Sequence, residues 1–387
     1  MRLVHSADLH LGYRAYHRTN AFGINIREAD VARVFRELLE RTAKIAPDLF
    51  LIAGDVFHTV RPSNAAIADA FRQFAVFRDL APDTSVVIIA GNHDSPRAAE
   101  TGNILRLFAE IPRLHVIHQE PKRLRFPELE TAILCLPHNS LFADSQPVME
   151  PDPQAGINIL MAHAAHENLK LVGYYGAALL RSSDLRPEQW TYVALGHYHL
   201  HERLAPNMVY PGAIERTSID VWSEANRPKG FVELDTESGE VRFHELQGPR
   251  PVMDLKPISG RDRSPEEINV LIESALDSVP GGIDEKIVRL RIYDVPRDIY
   301  RELDHRRIRE YRTRALHFNL DARPPQVTRR SGSGAPGRRL TLQEELTEFL
   351  KHRWKPDSRQ VDREGLIELG LRYLQEAEEA EVLEDRE

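Results

Sequence analysis

The first two thirds of the chain alternate between short apolar runs and longer amphipathic segments. Four β-branched runs have the composition of strands buried on both faces: Leu49–Ala53, Ser85–Ala90, Ile157–Ala162 and Thr191–Leu195. Apolar residues at helical spacing fill Glu28–Lys44 and Ser63–Leu80, and Pro62 with Ser63 gives the second helix a start signal. Residues 1–246 are therefore predicted to form an α/β domain in which helices cover a buried sheet.

Two segments of different character follow this domain. Residues 247–323 contain one strand candidate, Lys286–Ile292, between helix-like stretches, which predicts a small α+β cap domain. Residues 324–339 are rich in Gly, Ser and Pro, and this composition predicts a flexible linker.

The last segment, residues 340–387, is predicted to form a helical pair. Its first helix, Thr341–Trp354, begins with the capping box Thr341-Leu342-Gln343-Glu344, and its second covers about Asp362–Glu379. A short helical pair on a flexible linker gains little stability by burying its own surface. We therefore expect this segment to dock onto a partner.

Composition limits the class of protein. With 387 residues, 42% hydrophobic and 28% charged, the chain is long enough for a large core and one or two smaller modules. No apolar run is long enough to cross a bilayer, and the first residues lack the apolar stretch of a signal peptide. The single cysteine, Cys135, excludes an internal disulfide and a cysteine-based metal site. We expect a cytoplasmic protein without a membrane span.

The net charge of -8 argues mildly against nucleic acid, because DNA binding relies on Lys and Arg that neutralise phosphates. The distribution of charge changes this picture. The residues from Glu376 to Glu387 are mostly acidic or small and account for much of the excess, so the rest of the chain is near balance.

Polar clusters stand where the predicted strands end. They are Asp8-Leu9-His10, Gly54-Asp55-Val56-Phe57-His58, Gly91-Asn92-His93-Asp94, His163 and Gly196-His197-Tyr198-His199. Because strand carboxyl ends in an open α/β sheet meet at one edge, these side chains are expected to converge. One cluster alone is weak evidence, but burying all of them without a cation would carry a large desolvation cost. The sequence predicts a site for two divalent ions, with Asp55 giving one oxygen to each.

The order of these clusters resembles that of the calcineurin-like metallophosphoesterases, which have D-x-H, G-D-x-x-H, G-N-H-D, a lone His and G-H-x-H in sequence. His58, the segment Tyr210–Arg216 and Lys229-Gly230-Phe231 look like the SbcD-type nucleases of DNA double-strand-break repair, the bacterial counterparts of the meiotic recombination eleven nuclease. The resemblance covers nearly the whole chain. It implies an α/β sandwich of two central mixed β-sheets flanked by helices.

The resemblance also implies a role for each residue of the clusters. It implies that Asp8, His10, Asp55 and His199 hold one ion, and that Asp55, Asn92, His163 and His197 hold the other. It further implies that His93 stabilises the transition state or protonates the leaving oxygen, and that His58 positions the scissile phosphate. Two Mn2+ per subunit are expected, with Mg2+, Fe2+ or Zn2+ able to replace them; zinc would bind the same ligands more tightly.

The family's activity and partners follow from the same resemblance. They are a 3'-to-5' exonuclease on double-stranded DNA, a single-strand endonuclease, and an SbcC-type ATPase with a long coiled coil that the C-terminal helices would grip. A homodimer through helices near Ser63–Leu80 and an association with the nucleoid are also implied. Two alternatives stay open: a phosphodiesterase for nucleotides or other small phosphoesters, and a scaffold that binds DNA ends without cutting.

Basic residues near the predicted site are candidates for DNA contacts. Arg14 and Arg18, interleaved with aromatic residues, follow the first metal motif, and Arg306, Arg307 and Arg309 form the densest positive run of the cap. The alternative for the cap run is a solvated helix face paired with neighbouring acidic residues.

Four other residues have competing interpretations. His166 could replace His163 as a ligand, but the strand ends at His163, which favours the latter. Asp94 either orients His93 or caps the following helix. His5 and His201 are expected at the surface or behind the ligands.

Overall fold

The computed structural model describes residues 1–96, 102–142, 148–169, 178–325, 342–354 and 362–384. The chain divides into two compact units, Met1–Pro325 and Gln326–Glu387. Of the predicted linker, only Pro324 and Pro325 lie within the described residues, and the capping residue Thr341 lies outside them. No helix among the described residues is long and apolar enough to cross a membrane.

The first unit contains two six-stranded mixed sheets. In the first sheet the strands β1 to β4 run parallel, β13 pairs antiparallel with β1, and β14 pairs antiparallel with β13. Their bounds are β1 Arg2–Ser6, β2 Leu49–Ala53, β3 Ser85–Ile89, β4 Leu114–Ile117, β13 Gly230–Asp235 and β14 Val241–Glu245.

In the second sheet β6, β7, β10 and β12 run parallel, while β5 and β11 pair antiparallel at its two edges. Their bounds are β5 Lys122–Phe126, β6 Thr131–Leu136, β7 Ile157–His163, β10 Tyr192–Gly196, β11 Glu202–Ala205 and β12 Met208–Tyr210. A short parallel pair, β8 Ala165–His166 and β9 Leu179–Leu180, follows β7, and the helix α3 Ser182–Leu185 follows β9.

The two sheets face each other across a shared core. Leu51 and Val87 of the first sheet and Ile133 and Met161 of the second belong to one buried apolar cluster. On the other face of the first sheet, α1 (Ile26–Ile45) and α2 (Asn64–Leu80) bury their apolar stripes. These helices begin at the N-caps Asn25 and Ser63. The structure confirms the expected α/β sandwich and both predicted helices.

Residues 252–322 add a four-stranded sheet with its own apolar core. Three strands pair in parallel with β17, the strand predicted at Lys286–Ile292. The elements are β15 Val252–Asp254, β16 Ile258–Ser259, α4 Pro265–Asp277, β17 Ile287–Tyr293, α5 Arg297–Glu302, α6 His305–Arg314 and β18 His317–Ala322. This α+β segment belongs to the same compact unit as the two large sheets.

The second unit contains the helices α7 (Leu342–Glu348) and α8 (Arg363–Glu384), and a π-helical turn, Phe349–Arg353, continues α7. Ile367 is buried, whereas Leu342, Phe349 and Tyr373 expose 61%, 48% and 60% of their surface. Both predicted helices are present, and part of their apolar surface faces solvent.

Candidate dinuclear metal centre

The predicted ligands meet where the strands of the two sheets end. Asp8 and His10 follow β1, Asp55 follows β2, and Asn92 follows β3, all in the parallel part of the first sheet. His163 ends β7, and His197 and His199 follow the neighbouring strand β10 of the second sheet. The strand ends therefore bring together residues separated by almost two hundred positions.

Asp8, His10 and His199 form the first group, with one potential ligand atom of each within 4.8 Å of the others. His10 Nε2 lies 2.9 Å from His199 Nε2. His199 Nδ1 donates a hydrogen bond to Glu224 Oε1 at 3.1 Å. Because a carboxylate only accepts, Nδ1 carries the proton and the Nε2 lone pair of a neutral His199 points into the centre.

Asp55, His163 and His197 form the second group, which Asn92 completes. Asn92 Oδ1 lies 3.0 Å from His163 Nε2 and 3.1 Å from His197 Nδ1. His163 Nδ1 donates to the carbonyl oxygen of Ala53 at 2.8 Å, so Nε2 of a neutral His163 presents a lone pair to oxygen atoms. Without a metal, a proton on Nε2 offsets that repulsion, as the raised pKa of His163 indicates, and a cation between these atoms would take its place.

Asp55 lies between the two groups. Its Oδ2 is 3.8 Å from His10 Nε2 and 3.5 Å from His163 Nε2, whereas its Oδ1 accepts the backbone N–H of His93 at 2.9 Å. In place of the expected one oxygen for each ion, a single oxygen faces both groups.

The residues fit divalent metal ions by distance and by chemistry. Two ligands about 2.1 Å from one ion and roughly at right angles or tetrahedral angles lie about 3.0–3.4 Å apart. The separations between neighbouring donor atoms, 2.9, 3.0, 3.1 and 3.5 Å, fall close to this range. Imidazole nitrogen with carboxylate and amide oxygen suits manganese, iron and zinc.

Burial and mutual contact set the protonation of these groups. Burial, with the nearby His199, holds the pKa of His10 well below its usual range, and burial, with His163, lowers the pKa of His197 to about 3. Burial alone would raise the pKa of Asp55, yet His163 and His10 hold it well below its usual value. Burial would lower the pKa of His163, but Asp55 raises it to about 9. The low pKa values of His10 and His197 keep these two imidazoles neutral, as a metal ion requires, and a bound ion would take the place of the proton that Asp55 holds on His163.

The backbone at the centre adopts a conformation that is unusual for these residues. Asp8, His10 and Asp55 have φ of 53°, 49° and 51°, and His197 has φ of 103°, in the region that favours glycine. Such conformations cost about 1–3 kcal/mol each and cluster at functional sites. The strain here falls on four predicted ligands.

The glycines of two motifs, Gly54 and Gly91, allow the backbone to lie very close to the side chains of predicted ligands. A Cβ on Gly91 would lie 2.1 Å from Asp55 Oδ1, and a Cβ on Gly54, where φ is +93°, would lie 2.1 Å from His163 Nδ1. Any larger residue would displace a predicted ligand.

His58 and His93 lie beside the first group. Their rings stack with centroids 5.2 Å apart, and His93 Nδ1 donates to the carbonyl oxygen of His58 at 2.7 Å. His58 Nδ1 is 3.3 Å from His10 Nδ1, and the ring of Tyr13 meets His58 edge-on. Burial, together with His93, lowers the pKa of His58 to about 4.

The residues with competing interpretations have other partners. His166 Nε2 lies 3.2 Å from Ser182 Oγ and its Nδ1 accepts the N–H of Asn168, which supports His163 as the strand-end ligand. The Asp94 carboxylate accepts the backbone N–H groups of Val56, Phe57 and Gly91, so it braces the loops that carry Asp55 and Asn92.

His5 and His201 form hydrogen bonds with residues other than the predicted ligands. His5 is fully buried and its Nδ1 lies 3.0 Å from the hydroxyl of Tyr192. A surface position is therefore wrong for His5. His201 is half-buried, its Nδ1 donates to the carbonyl of Tyr210, and its ring stacks on Phe243.

The basic DNA-contact candidates divide by their ion pairs. Arg14 pairs with Glu28 at 2.7 Å, Arg18 with Glu285 at 3.1 Å and the Ala315 carbonyl at 2.7 Å, and Arg307 with Glu273 at 2.6 Å. Arg306 and Arg309 on α6 are exposed. The ion pairs between described residues include neither of these two.

The sequence predicts no place at the centre for three residues, although Lys229 stands in a segment that resembles the SbcD-type nucleases. Glu224 and Lys229 lie behind His199, and His138 donates from Nδ1 to the carbonyl oxygen of His163 at 3.2 Å. His138 follows the apolar run of β6, so the strand-end signal that identified His163 could have found it. Glu224 ends the 3₁₀ turn Val221–Glu224, which is too short for any spacing or periodicity to mark it.

A cluster of Asp, Asn and His at the strand ends of a two-sheet sandwich is typical of metal-dependent phosphoesterases. Comparison with protein families agrees: the profile of the calcineurin-like phosphoesterases matches residues 1–201, more than half of the 387 residues. The chain belongs to this family.

Curated relatives carry the name DNA double-strand break repair protein Mre11. That of Methanopyrus kandleri is 27% identical over 295 residues, covering 69% of this chain and 61% of the relative. Those of Sulfolobus acidocaldarius and Thermoplasma acidophilum are 24% and 25% identical, covering 74% and 75% of this chain and 72% and 73% of the relatives. The expected resemblance to double-strand-break repair nucleases is confirmed. The chain spans less than two thirds of the Methanopyrus protein.

Proposed function

We propose that this chain is a nuclease that hydrolyses DNA phosphodiesters in double-strand-break repair, using two divalent ions. The observation that carries the proposal is Asp55 Oδ2, which faces His10 at 3.8 Å and His163 at 3.5 Å and so joins two ligand groups into one centre. The names of the relatives support DNA as the substrate.

In this proposal Asp8, His10, Asp55 and His199 hold one ion, and Asp55, Asn92, His163 and His197 hold the other. Mn2+ is the proposed native ion, and Mg2+, Fe2+ or Zn2+ could replace it. When bound, the pair of ions supplies a nucleophilic hydroxide near neutral pH and stabilises the attacking and leaving oxygens.

His93 and His58 are the proposed catalytic side chains. The hydrogen bond from His93 Nδ1 to the His58 carbonyl fixes one proton on Nδ1, so a doubly protonated His93 would carry its second proton on Nε2 and could donate that proton to the leaving oxygen. The ring of His58, held between Tyr13 and His93, would position the scissile phosphate.

DNA would reach the centre past the basic residues of the first loop and the cap. The exposed Arg306 and Arg309 are the better candidates, because Arg14, Arg18 and Arg307 must share or exchange their present carboxylate partners. We propose residues 1–246 as the nuclease domain and residues 247–323 as a DNA-binding cap.

We further propose that residues 340–387, after a linker at 324–339, bind the base of the coiled coil of an SbcC-type ATPase at the nucleoid. Exposed apolar residues of α7, of its π-helical turn and of α8 offer a surface for such helices: Leu342, Phe349 and Tyr373.

A homodimer through α2 is the remaining part of the proposal. Val76 and Leu80 expose 51% and 56% of their surface, and Ile67 and Phe71 are only partly buried. Sedimentation of the full chain measures the assembly: a dimer that Phe71→Glu dissociates supports it, and a monomer at all concentrations contradicts it.

The nuclease is tested with metal-free protein supplied with Mn2+, end-labelled duplex DNA and circular single-stranded DNA. The parent should release nucleotides from 3' ends and open the circle, whereas His93→Ala should keep its bound metal and lose about 10²- to 10⁴-fold in rate. His244→Ala, on the edge strand β14, is the matched control and should cleave like the parent.

Failure to cleave either of these DNA substrates, even with the ATPase and ATP present, would contradict the proposed nuclease activity. If such a protein still hydrolysed bis-para-nitrophenyl phosphate, it would be a phosphodiesterase for small substrates. If the protein bound two ions but hydrolysed neither DNA nor the small phosphodiester, the result would favour a scaffold that binds DNA ends without cutting them.

A further inference from the structure

A buried ion pair lies directly behind the predicted ligand His199. Lys229 Nζ is 2.6 Å from Glu224 Oε2, and the two side chains expose only 1% and 2% of their surface. Glu224 Oε1 accepts the hydrogen bond from His199 Nδ1 at 3.1 Å, and Lys229 Nζ donates to the His199 carbonyl oxygen at 2.8 Å. The pair thus holds both the ring and the main chain of His199.

A buried ion pair is poor evidence of a contribution to stability. Removing two charges from water costs several kcal/mol for each ion, and well-packed apolar residues often replace such a pair without loss. A carboxylate that accepts from a ligand imidazole has a different effect, because it fixes the tautomer and makes the other nitrogen a stronger donor to metal.

We propose that Glu224 is a positioning residue for the metal ligand His199, with Lys229 as its counter-ion. The inference rests on the proposed metal centre and assigns to it a supporting pair that the ligand motifs do not contain. Glu224 fixes the Nδ1–H tautomer of His199 and so keeps Nε2 directed at His10.

Glu224 is itself held in place by its own chain. It ends the 3₁₀ turn Val221–Glu224, whose N-cap Asp220 accepts the N–H of Trp222. Arg216 Nε donates to the Glu224 carbonyl oxygen at 3.1 Å. These contacts hold the Glu224 backbone independently of His199, and Lys229 holds its carboxylate from the side away from the ring, as a positioning role requires.

The two ligand groups differ in the acceptor that the Nδ1–H of a ligand histidine meets. His163 donates from Nδ1 to the neutral carbonyl of Ala53, whereas His199 donates to a carboxylate. Removing the carboxylate should therefore weaken the ion held by Asp8, His10, Asp55 and His199, and leave the affinity of the other ion close to the parent value.

The test measures Mn2+ binding to the metal-free full chain by titration calorimetry, without DNA, in Glu224→Gln and Glu224→Leu. Supporting residues typically contribute 10- to 100-fold in metal affinity. We expect one of two affinities to fall about 10-fold in Glu224→Gln, which keeps an acceptor, and about 100-fold in Glu224→Leu, which does not. In parallel, long-range ¹H–¹⁵N NMR of the metal-free chain should show His199 protonated at Nδ1 in the parent.

Glu215→Gln is the matched control. Glu215 is a fully buried glutamate near the same turn, and it contacts Arg27 and the backbone N–H of Arg250. It should change stability and leave both Mn2+ affinities at the parent values.

Each outcome decides the proposal. Two unchanged affinities in a folded Glu224→Gln would overturn the positioning role while leaving the metal centre intact. Equal weakening of both ions in Glu224→Gln and Glu215→Gln would also overturn it, because general destabilisation would then explain the loss. A parent that binds no Mn2+ would overturn the proposed metal centre and this inference together.

Discussion

Gly91 lies against the carboxylate that joins the two ligand groups. A Cβ at this position would stand 2.1 Å from Asp55 Oδ1 and 2.4 Å from the Asp55 backbone nitrogen. Because backbone cannot move as cheaply as a side-chain tip, a methyl group here must displace Asp55. The close approach explains at residue scale why glycine precedes Asn92.

Gly91→Ala should therefore weaken Mn2+ binding at both sites of the centre, on the order of 10- to 100-fold. Calorimetric titration of the metal-free protein measures the two affinities. Gly156→Ala is the control, since a Cβ there makes only ordinary contact at 3.5 Å with Glu130. Parent-like affinities in Gly91→Ala would show that Asp55 is not shared between two ions.

For single residues, the sequence predicts the chain positions of the ligands but not the orientation of each side chain. Asp55 and His163 could be found because they end apolar runs. The shared use of Asp55 Oδ2 could not be predicted, because the His93 backbone N–H that occupies Oδ1 arrives from another strand. The partner of His199 could not be predicted either, because Glu224 lies 25 residues away along the chain in a short 3₁₀ turn.

At the scale of elements, the turn Val221–Glu224 connects the α+β segment to the metal centre. Arg289 of β17 lies over the ring of Trp222 at 4.8 Å, and Val221 and Trp222 share an apolar cluster with Val252 and Ile287. The same turn ends at Glu224, which contacts His199.

A double-mutant cycle with Trp222→Leu and Arg289→Met should show a coupling of about 0.5–1 kcal/mol in the free energy of unfolding. The cycle is needed because Arg289 also pairs with Asp254 at 2.7 Å, and that loss cancels in the double difference. Urea unfolding measures all four proteins. A coupling of zero would show that the cation–π contact does not link the two segments.

Elements with strong periodicity were predictable, and long-range pairing was not. The helices α1 and α2 and the interior strands β2, β3, β7 and β10 lie within about two residues of their predicted positions. Nothing in the sequence showed that β13 would pair antiparallel with β1, with Val4 opposite Glu233. That pairing extends the first sheet beyond β1 to β13 and β14 and depends on the complete fold.

At the scale of the whole molecule, the predicted ligands and the C-terminal helices belong to different compact units. The ligands lie between Asp8 and His199 within Met1–Pro325, and the helices lie within Gln326–Glu387. Each unit has its own internal contacts. We therefore expect that the proposed metal binding and the proposed partner binding can be separated by truncation.

Deletion of residues 340–387 should abolish the complex with an SbcC-type ATPase and leave two metal ions and the phosphodiesterase activity of the free chain. Size-exclusion chromatography of the mixed proteins and elemental analysis of the truncated chain measure these two outcomes. Loss of metal from the truncated protein would contradict the modular organisation, as would an intact complex.

The most direct test of the proposed dinuclear centre is a crystal structure of the full chain grown with Mn2+, with anomalous scattering recorded at the manganese edge. We expect two peaks about 3.5–4 Å apart, joined by Asp55 Oδ2 and surrounded by the two ligand groups. A single peak, or two peaks that Asp55 does not join, would contradict it.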